Sequence, residues 1–127
     1  SDAFAQAKAL LAVTRASVLA LTLGPNGAAL ITRHGQLFRA QEVASLTVVD
    51  TVGAGDCFLA GLVVAMLSNQ LPADWGTALV PNEVAASLMA NAVASASFCV
   101  TQRGCVPPSR EQVIARLDSV KVTFPSP

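Results

Sequence analysis

The sequence is short of charged residues. Asp, Glu, Lys and Arg make up 13% of its 127 residues, whereas hydrophobic residues make up 53%. An average soluble domain carries about a quarter charged residues. The mean hydropathy is +0.55. This composition indicates either a membrane protein or a part of a larger protein that includes some of its interior faces.

No apolar run is long enough to support the membrane alternative. Residues 57–67 form an apolar run far shorter than the roughly 20 residues that a spanning helix needs. The uncharged stretch 84–102 has asparagine and serine residues spread around any helix it forms. No basic segment followed by an apolar core stands at the start of the sequence, so we expect no signal peptide. We therefore predict a buried helix and no membrane partner.

The sequence also has no excess of either charge and few cysteines. Eight Lys and Arg residues balance eight Asp and Glu residues without a basic cluster, so we expect no nucleic-acid partner. Three cysteines, Cys57, Cys99 and Cys105, match no zinc-ligand spacing, and the lone His34 does not complete one. We expect free thiols rather than a metal site, in a reducing compartment that we take to be the cytoplasm.

The pattern of apolar and turn residues predicts a helix, a strand, a hairpin, a strand and then three helices. Ser1 or Asp2 caps the first helix, and residues 17–23 form a strand buried on both faces. Later elements are predicted as strands at 28–32, 36–40 and 46–49, and as helices at 57–69, from Asn82 to about Gln102, and after Ser109. The tail to Pro127 is predicted to be loose. This order is typical of the closing portion of an α/β sandwich, and therefore of a fragment.

The stretch DTVGAGDCF, residues 50–58, places two glycines where a helix is predicted to begin. Gly53 and Gly55 leave room for a phosphate, and the N–H groups at a helix N-terminus bind anions. Asp56, in the first turn, can accept a proton from an attacking hydroxyl group. The residues alone leave two alternatives open. Either the segment transfers a phosphoryl group to an alcohol, or Asp56 only caps a helix after a glycine-rich turn.

The motif resembles the signature of the ribokinase-like sugar kinases, the phosphofructokinase-B (pfkB) family. Two further segments are similar to parts of that family in the same order. TLGPNG, residues 22–27, resembles its nucleotide loop, and VTQRGC, residues 100–105, resembles its late loop. The resemblance covers nearly the whole chain. It implies the C-terminal part of an α/β/α sandwich with a mixed, mostly parallel sheet and flanking helices.

The resemblance also implies roles for individual residues. Asp56 is the implied catalytic base, and Gly53, Ala54 and Gly55 are the implied anion hole for the transferred phosphoryl group. The residues implied for nucleotide binding are Thr22, Gly24, Asn26, Gly27 and Gly55. Those implied around a monovalent cation are Asp50, the carbonyl of Val52, Cys99, Gln102 and Gly104. The position that commonly contacts adenine is Val93 here, and we interpret Asn91 as a helix-packing residue.

The function that the resemblance implies is transfer of the γ-phosphoryl group of ATP to a primary hydroxyl of a small sugar, with Mg²⁺ and K⁺ as cofactors. In this family the sugar-binding half and the magnesium-organising motif come first. Residues 1–127 are therefore expected to be the C-terminal nucleotide-binding portion of one larger kinase domain, which forms a homodimer at full length. Two alternatives stay open: a catalytically incomplete nucleotide-binding fragment, and a relative acting on fructose 1-phosphate, ketodeoxygluconate or a nucleoside.

Overall fold

The computed structural model, which describes residues 2–125, has helices on both faces of one four-stranded sheet. The helices are α1 (Ala3–Ala12), α2 (Ala54–Ser68), α3 (Asn82–Val100) and α4 (Arg110–Arg116). The strands are β1 (Val18–Thr22), β2 (Ala28–Thr32), β3 (Leu37–Glu42) and β4 (Val120–Thr123). Short 3₁₀ turns, Gly24–Asn26 and Leu117–Ser119, precede β2 and β4. The α/β class expected from the sequence is confirmed.

The sheet has the strand order β1-β2-β3-β4, and all three of its strand pairs are antiparallel. In this register Leu30 of β2 lies between Ala20 of β1 and Phe38 of β3. Within residues 2–125, β1 and β4 are the two edges. A mostly parallel sheet is expected of the complete domain, but none of the strand pairs in residues 2–125 is parallel.

β2 is the strand that is buried on both faces, because its side chains alternate between two layers of helices. Ala29 and Ile31 pack with α1, whereas Ala28 and Leu30 pack into the core beneath α3. The prediction that residues 17–23 form the doubly buried strand is wrong for the described chain. β1 is an edge strand, and each of its residues is half-buried or exposed.

Two other strand predictions are also wrong. Residues 46–49 form no strand, because their backbone bonds to the end of a helix instead of a sheet ladder: Val49 N donates to Val100 O at 2.7 Å. The tail that was predicted to be loose contains β4, which pairs with β3 from Val120 to Thr123. Pro127 itself lies outside the described residues.

The helix ends agree with the sequence in part. Asp2 caps α1 by accepting from Ala5 N at 2.7 Å, and Ser109 caps α4 in a capping box with Gln112. The alternative cap Ser1 lies outside the described residues. α2 begins at Ala54, earlier than predicted, and Asn82 is the first residue of α3 rather than its cap.

α3 is the central core helix. Judged by length and composition alone, it could cross a membrane. However, 56% of its most apolar 18-residue stretch is buried inside the structure. Leu88 and Met89 are fully enclosed between α2 and the sheet. Its length and composition therefore reflect burial, as the sequence predicts.

α2 and α3 approach each other most closely at Gly61. A Cβ built on Gly61 would lie 2.5 Å from Ser95 Oγ and 2.8 Å from the carbonyl oxygen of Asn91, both on α3. Real Cβ atoms do not come so near to other heavy atoms, and the carbonyl oxygen belongs to a rigid helix. Gly61 therefore allows the separation of the two helices.

We expect Gly61→Ala to lower the free energy of unfolding by about 1–3 kcal/mol, because the added methyl group overpacks the contact between the helices. Gly55→Ala is the matched control on the same helix, since no atom lies within 4 Å of a Cβ built there. The control should be neutral or stabilising by up to about 1 kcal/mol. Urea-unfolding midpoints of the full-length protein test this pair. Equal midpoints for the two variants would contradict the close approach.

Candidate active site

Asp50 connects the segment before α2 with the loop after α3. Its Oδ1 accepts from Val52 N at 3.0 Å, and its Oδ2 accepts from Gly104 N at 2.9 Å. These hydrogen bonds hold the pKa of the Asp50 carboxyl below its ordinary value, and the bond from Val52 has the larger effect. The carboxylate is therefore ionised at neutral pH, and its stabilising contribution, complete above the ordinary pKa of an aspartate, is lost as the pH falls from there through the lowered pKa.

Gly53, the residue that precedes α2, can only be a glycine in this structure. Its φ is +81°, in the left-handed region that side chains disfavour. A Cβ built on it would overlap Cys105 Sγ and lie 2.6 Å from Cys105 Cβ. The glycine thus lets the late loop lie directly against the start of α2.

The first turn of α2 carries free backbone donors beside open space. Between residues 2 and 125, no acceptor is found for the N–H groups of Gly55 and Asp56. No atom lies within 4 Å of a Cβ built on Gly55. Unpaired N–H groups at a helix N-terminus carry partial positive charge and bind anions. The geometry fits an oxyanion such as a phosphoryl group.

The predicted nucleotide loop is a 3₁₀ turn between β1 and β2. Gly24 has a φ of +58°, and Gly27 has a φ of +87°. A Cβ built on Gly27 would overlap the carbonyl oxygen of Ala40 and lie 2.9 Å from Gln41 Cα. The close approach of β3 therefore requires glycine at residue 27, whereas Gly24 lies in open space.

One cleft of about 700 Å³ joins these two glycine-containing segments. The sequence-predicted residues that line it are Thr22, Gly24 and Gly27 from the turn, Ala54 and Gly55 from α2, and Val93 from α3. Gly53 and Asn26 are not among its lining residues, and Asp56 is exposed at the same helix end without lining it. The fold thus brings most of the predicted nucleotide-binding residues to one place, next to the proposed base.

None of the five residues implied for a monovalent cation lines this cleft, and hydrogen bonds link four of them: Asp50, Val52, Cys99 and Gly104. Besides the two bonds of Asp50, Cys99 Sγ donates to Val52 O at 3.5 Å. The side chain of Gln102 instead donates to Thr101 Oγ1 at 3.0 Å. The oxygen atoms of Asp50 and Val52 suit K⁺, but the buried thiol of Cys99 is a soft donor that does not.

The three cysteines converge in the structure, although Cys57 is far from the other two in the sequence. Their Sγ atoms all lie within 4.8 Å of one another, and all three are free. Burial, followed by the neighbouring thiol of Cys99, raises the pKa of Cys57 to about 12. Cys57 is therefore protonated at neutral pH, in agreement with its interpretation as a packing residue rather than a nucleophile. Linear spacing did not indicate this convergence, which arises because the start of α2 meets the end of α3.

Asn91 is a packing residue, as the sequence analysis inferred. Its Nδ2 donates to Ser87 O at 2.7 Å, and its Oδ1 accepts from Arg110 Nη1 at 3.0 Å. It lies outside the lining of the 700 Å³ cleft, whereas Val93 lies within it.

Glu42 is a cleft residue that the sequence analysis missed. Its Oε1 accepts from Arg116 Nη1 at 3.0 Å, and the side chain is only 8% exposed. The buried Oε2 has no partner in the described part of the chain. No sequence signal marks this residue, since its burial depends on the pairing of β3 with β4.

Comparison with known proteins identifies the family. The pfkB family carbohydrate kinase model matches residues 1–112. The chain belongs to the pfkB family. The resemblance inferred from the glycine-rich motifs is thereby confirmed. No curated protein matches the chain.

The fold is shared with solved pfkB-type kinases. Ribokinase from Giardia lamblia superposes with a TM-score of 0.72 at 22% identity, over 93% of this chain and 38% of that one. Fructokinase from Vibrio cholerae O395 gives a TM-score of 0.70 at 20% identity, over 92% and 36%. Aminoimidazole riboside kinase from Salmonella enterica gives 0.61 at 30% identity, over 81% and 32%. The chain thus spans about a third of the length of these kinases.

Proposed function

We propose that the chain is the nucleotide-binding portion of an ATP-dependent kinase that phosphorylates a primary hydroxyl of a small sugar. The observation that carries the proposal is the single cleft of about 700 Å³, which joins the glycine turn after β1 to the free N–H groups of α2. Membership of the pfkB family supports it. The three solved relatives are a ribokinase, a fructokinase and an aminoimidazole riboside kinase, which are all enzymes acting on sugars or sugar derivatives.

The start of α2 stabilises the transferred phosphoryl group in this proposal. The N–H groups of Gly55 and Asp56 donate to its oxygens, while Gly53 and Ala54 form the backbone that leads into this turn. Donors fixed by a helix need no reorganisation as negative charge develops, so they stabilise the transition state more than the ground state. No lysine of a Walker type is needed in such a site.

Asp56 acts as the general base. It is exposed at the end of α2 that carries the free N–H groups, so a sugar hydroxyl can reach both at once. Its carboxylate accepts the hydroxyl proton as the oxygen attacks phosphorus. The carboxylate thus acts on the attacking hydroxyl while the amides act on the phosphoryl group in a single in-line transfer, with ADP as the leaving group.

The nucleotide occupies the cleft beside β1 and α3. Thr22, Gly24 and Gly27 provide hydroxyl and backbone groups for the phosphates and the ribose. Val93 and Ala96 provide an apolar wall on α3 for the base. This wall can bind adenine by packing, with no polar contact from α3 at the position where relatives often have one.

The remainder of the site lies outside this chain in our proposal. We propose that residues 1–127 form the C-terminal part of a larger kinase domain, that the sugar site and the residues organising Mg²⁺ precede it, and that the full-length enzyme is a cytoplasmic homodimer. Three free thiols support a reducing compartment. One face of α2 carries three apolar side chains, spaced four apart, that are each at least 42% exposed: Leu59, Val63 and Leu67. Their exposure supports the proposal that another part of the kinase domain covers this face.

The sugar itself is proposed only by class. The late loop is similar to that of ribokinases, which favours a pentose or a related sugar. A relative acting on fructose 1-phosphate, ketodeoxygluconate or a nucleoside is the alternative within the family. A catalytically incomplete fragment that binds nucleotide without turnover is the alternative outside the enzyme class.

We expect Asp56→Asn in the full-length enzyme to lower kcat by about 10²- to 10⁴-fold while leaving the affinity for ATP nearly unchanged. The amide cannot accept the hydroxyl proton, although its size and the free N–H groups of α2 are retained. Steady-state kinetics and isothermal titration with ATP measure the two effects. Asp74→Asn, in the exposed connection after α2, is the matched control and should behave as the wild type. Loss of ATP affinity along with activity would make Asp56 structural.

If Asp50 and the late loop hold a monovalent cation, potassium should raise the turnover of the full-length enzyme several-fold, and Asp50→Ala should abolish that response. The alternative is that Asp50 only fixes Val52 and Gly104 through their N–H groups. Rates in potassium and in tetramethylammonium, at equal ionic strength, separate the two. An Asp50→Ala enzyme that is still activated by potassium would support the alternative.

We expect the isolated 127-residue chain to show no kinase activity and to self-associate. Exposed Leu59, Val63 and Leu67 leave an apolar stripe, and the edge of β1 leaves N–H and C=O groups without partners in the described residues. Size-exclusion chromatography with light scattering, together with an ATP-consumption assay on a panel of sugars, tests both points. A monomer that phosphorylates any of the sugars would overturn the proposal that the chain is a fragment.

A further inference from the structure

The three thiols lie where three parts of the chain meet. Cys57 is in the first turn of α2, Cys99 is near the end of α3, and Cys105 is in the loop that follows α3. Their Sγ atoms are all within 4.8 Å of one another. Metal–sulfur bonds of about 2.3 Å place the sulfurs of one coordination shell roughly 4 Å apart. The thiols therefore need only small side-chain adjustments to bind one ion together.

The composition of the cluster determines which ion it suits. Among residues 2–125, the group contains no histidine and no carboxylate, so all three side-chain donors are sulfur. An all-sulfur donor set selects thiophilic cations with filled d shells and disfavours K⁺ and Mg²⁺, which prefer oxygen. A disulfide could use only two of the three thiols and would leave the third unpaired.

The cysteine cluster is buried on one side and open to solvent on the other. Cys57 and Cys99 are buried, whereas Cys105 is exposed. An ion held by the three sulfurs therefore has an entry path and a solvent-facing position past Cys105. Three protein ligands with a water molecule in the fourth position make a complete tetrahedral shell for zinc.

We propose that Cys57, Cys99 and Cys105 form a binding site for one thiophilic d¹⁰ cation, the class that Zn²⁺ and Cu(I) share. None of the three cysteines lines the cleft, and the site does not rest on the proposed kinase function. The bound cation connects the first turn of α2 to the late loop, next to Gly53, against which the Cys105 side chain packs.

Cation binding is measured on the reduced full-length protein without ATP or sugar. Zn²⁺ is titrated in competition with a chromophoric chelator, Cu(I) is titrated in a separate arm, and Co²⁺ serves as a probe through its thiolate charge-transfer band. We expect one cation per chain and a raised thermal midpoint, because a ligand that binds only the folded state stabilises it.

The variants locate the site. Loss of even an outer-shell partner costs about 10- to 100-fold in metal affinity, so Cys57→Ala and Cys105→Ala should each weaken binding at least tenfold. Asp118→Asn, on an exposed turn after α4, is the control and should bind as the wild type does. Cys105 is exposed, so we expect Cys105→Ala to fold. This variant therefore still tests the site if Cys57→Ala fails to fold.

Two results would overturn the proposal. One is that neither Zn²⁺ nor Cu(I) binds with one-to-one stoichiometry under reducing conditions. The other is that binding is unchanged in Cys105→Ala. Because the titrations contain no ATP or sugar, either result leaves the kinase proposal standing, and an inactive kinase leaves the cation site standing.

Discussion

The two hydrogen bonds accepted by the Asp50 carboxylate are the interaction on which the candidate site depends. One holds the turn that leads into α2, and the other holds Gly104, which is 54 positions further along the chain. A charged acceptor makes such bonds stronger than those between neutral groups. With both ends fixed, the late loop lies against Gly53, and the first turn of α2 has a defined direction toward the cleft.

Close approach between neighbouring segments is the second constraint, and it explains two of the motif glycines and one glycine between helices. Gly27 lies against β3, Gly53 lies against Cys105, and Gly61 lies against α3. At each of these positions a Cβ would meet another atom. Gly55 differs, because the space beside it is open. Gly24 and Gly104 also lie beside open space, but both have a positive φ, so Gly55 is the motif glycine with neither constraint.

The sequence predicted the elements with strong local signals and missed those that depend on distant partners. The buried helix α3 and the capping box at Ser109 follow from composition and local spacing, and both are present. β4 is four residues long, and only its pairing with β3 makes it a strand. Residues 46–49 have a strand-like composition, but their hydrogen bonds go to the end of α3.

The same distinction holds in the site. Short glycine-rich patterns indicated the loop after β1 and the start of α2 because their chemistry is local. The convergence of three cysteines from α2, α3 and the late loop is set by helix packing, which linear spacing does not encode. Glu42 likewise becomes a cleft residue only through Arg116, on an element much later in the chain.

The ion pair between Glu42 and Arg116 has a consequence for the order in which the protein folds. The two residues are 74 positions apart, and the pairing of β3 with β4 spans a similar separation. During synthesis from the N-terminus, the glycine turn and the first three strands are complete long before either contact can form. Contacts between distant residues also close slowly, because the intervening chain must be ordered first. The wall of the cleft at Glu42 can therefore be completed only after residues 116 to 123 have been synthesised.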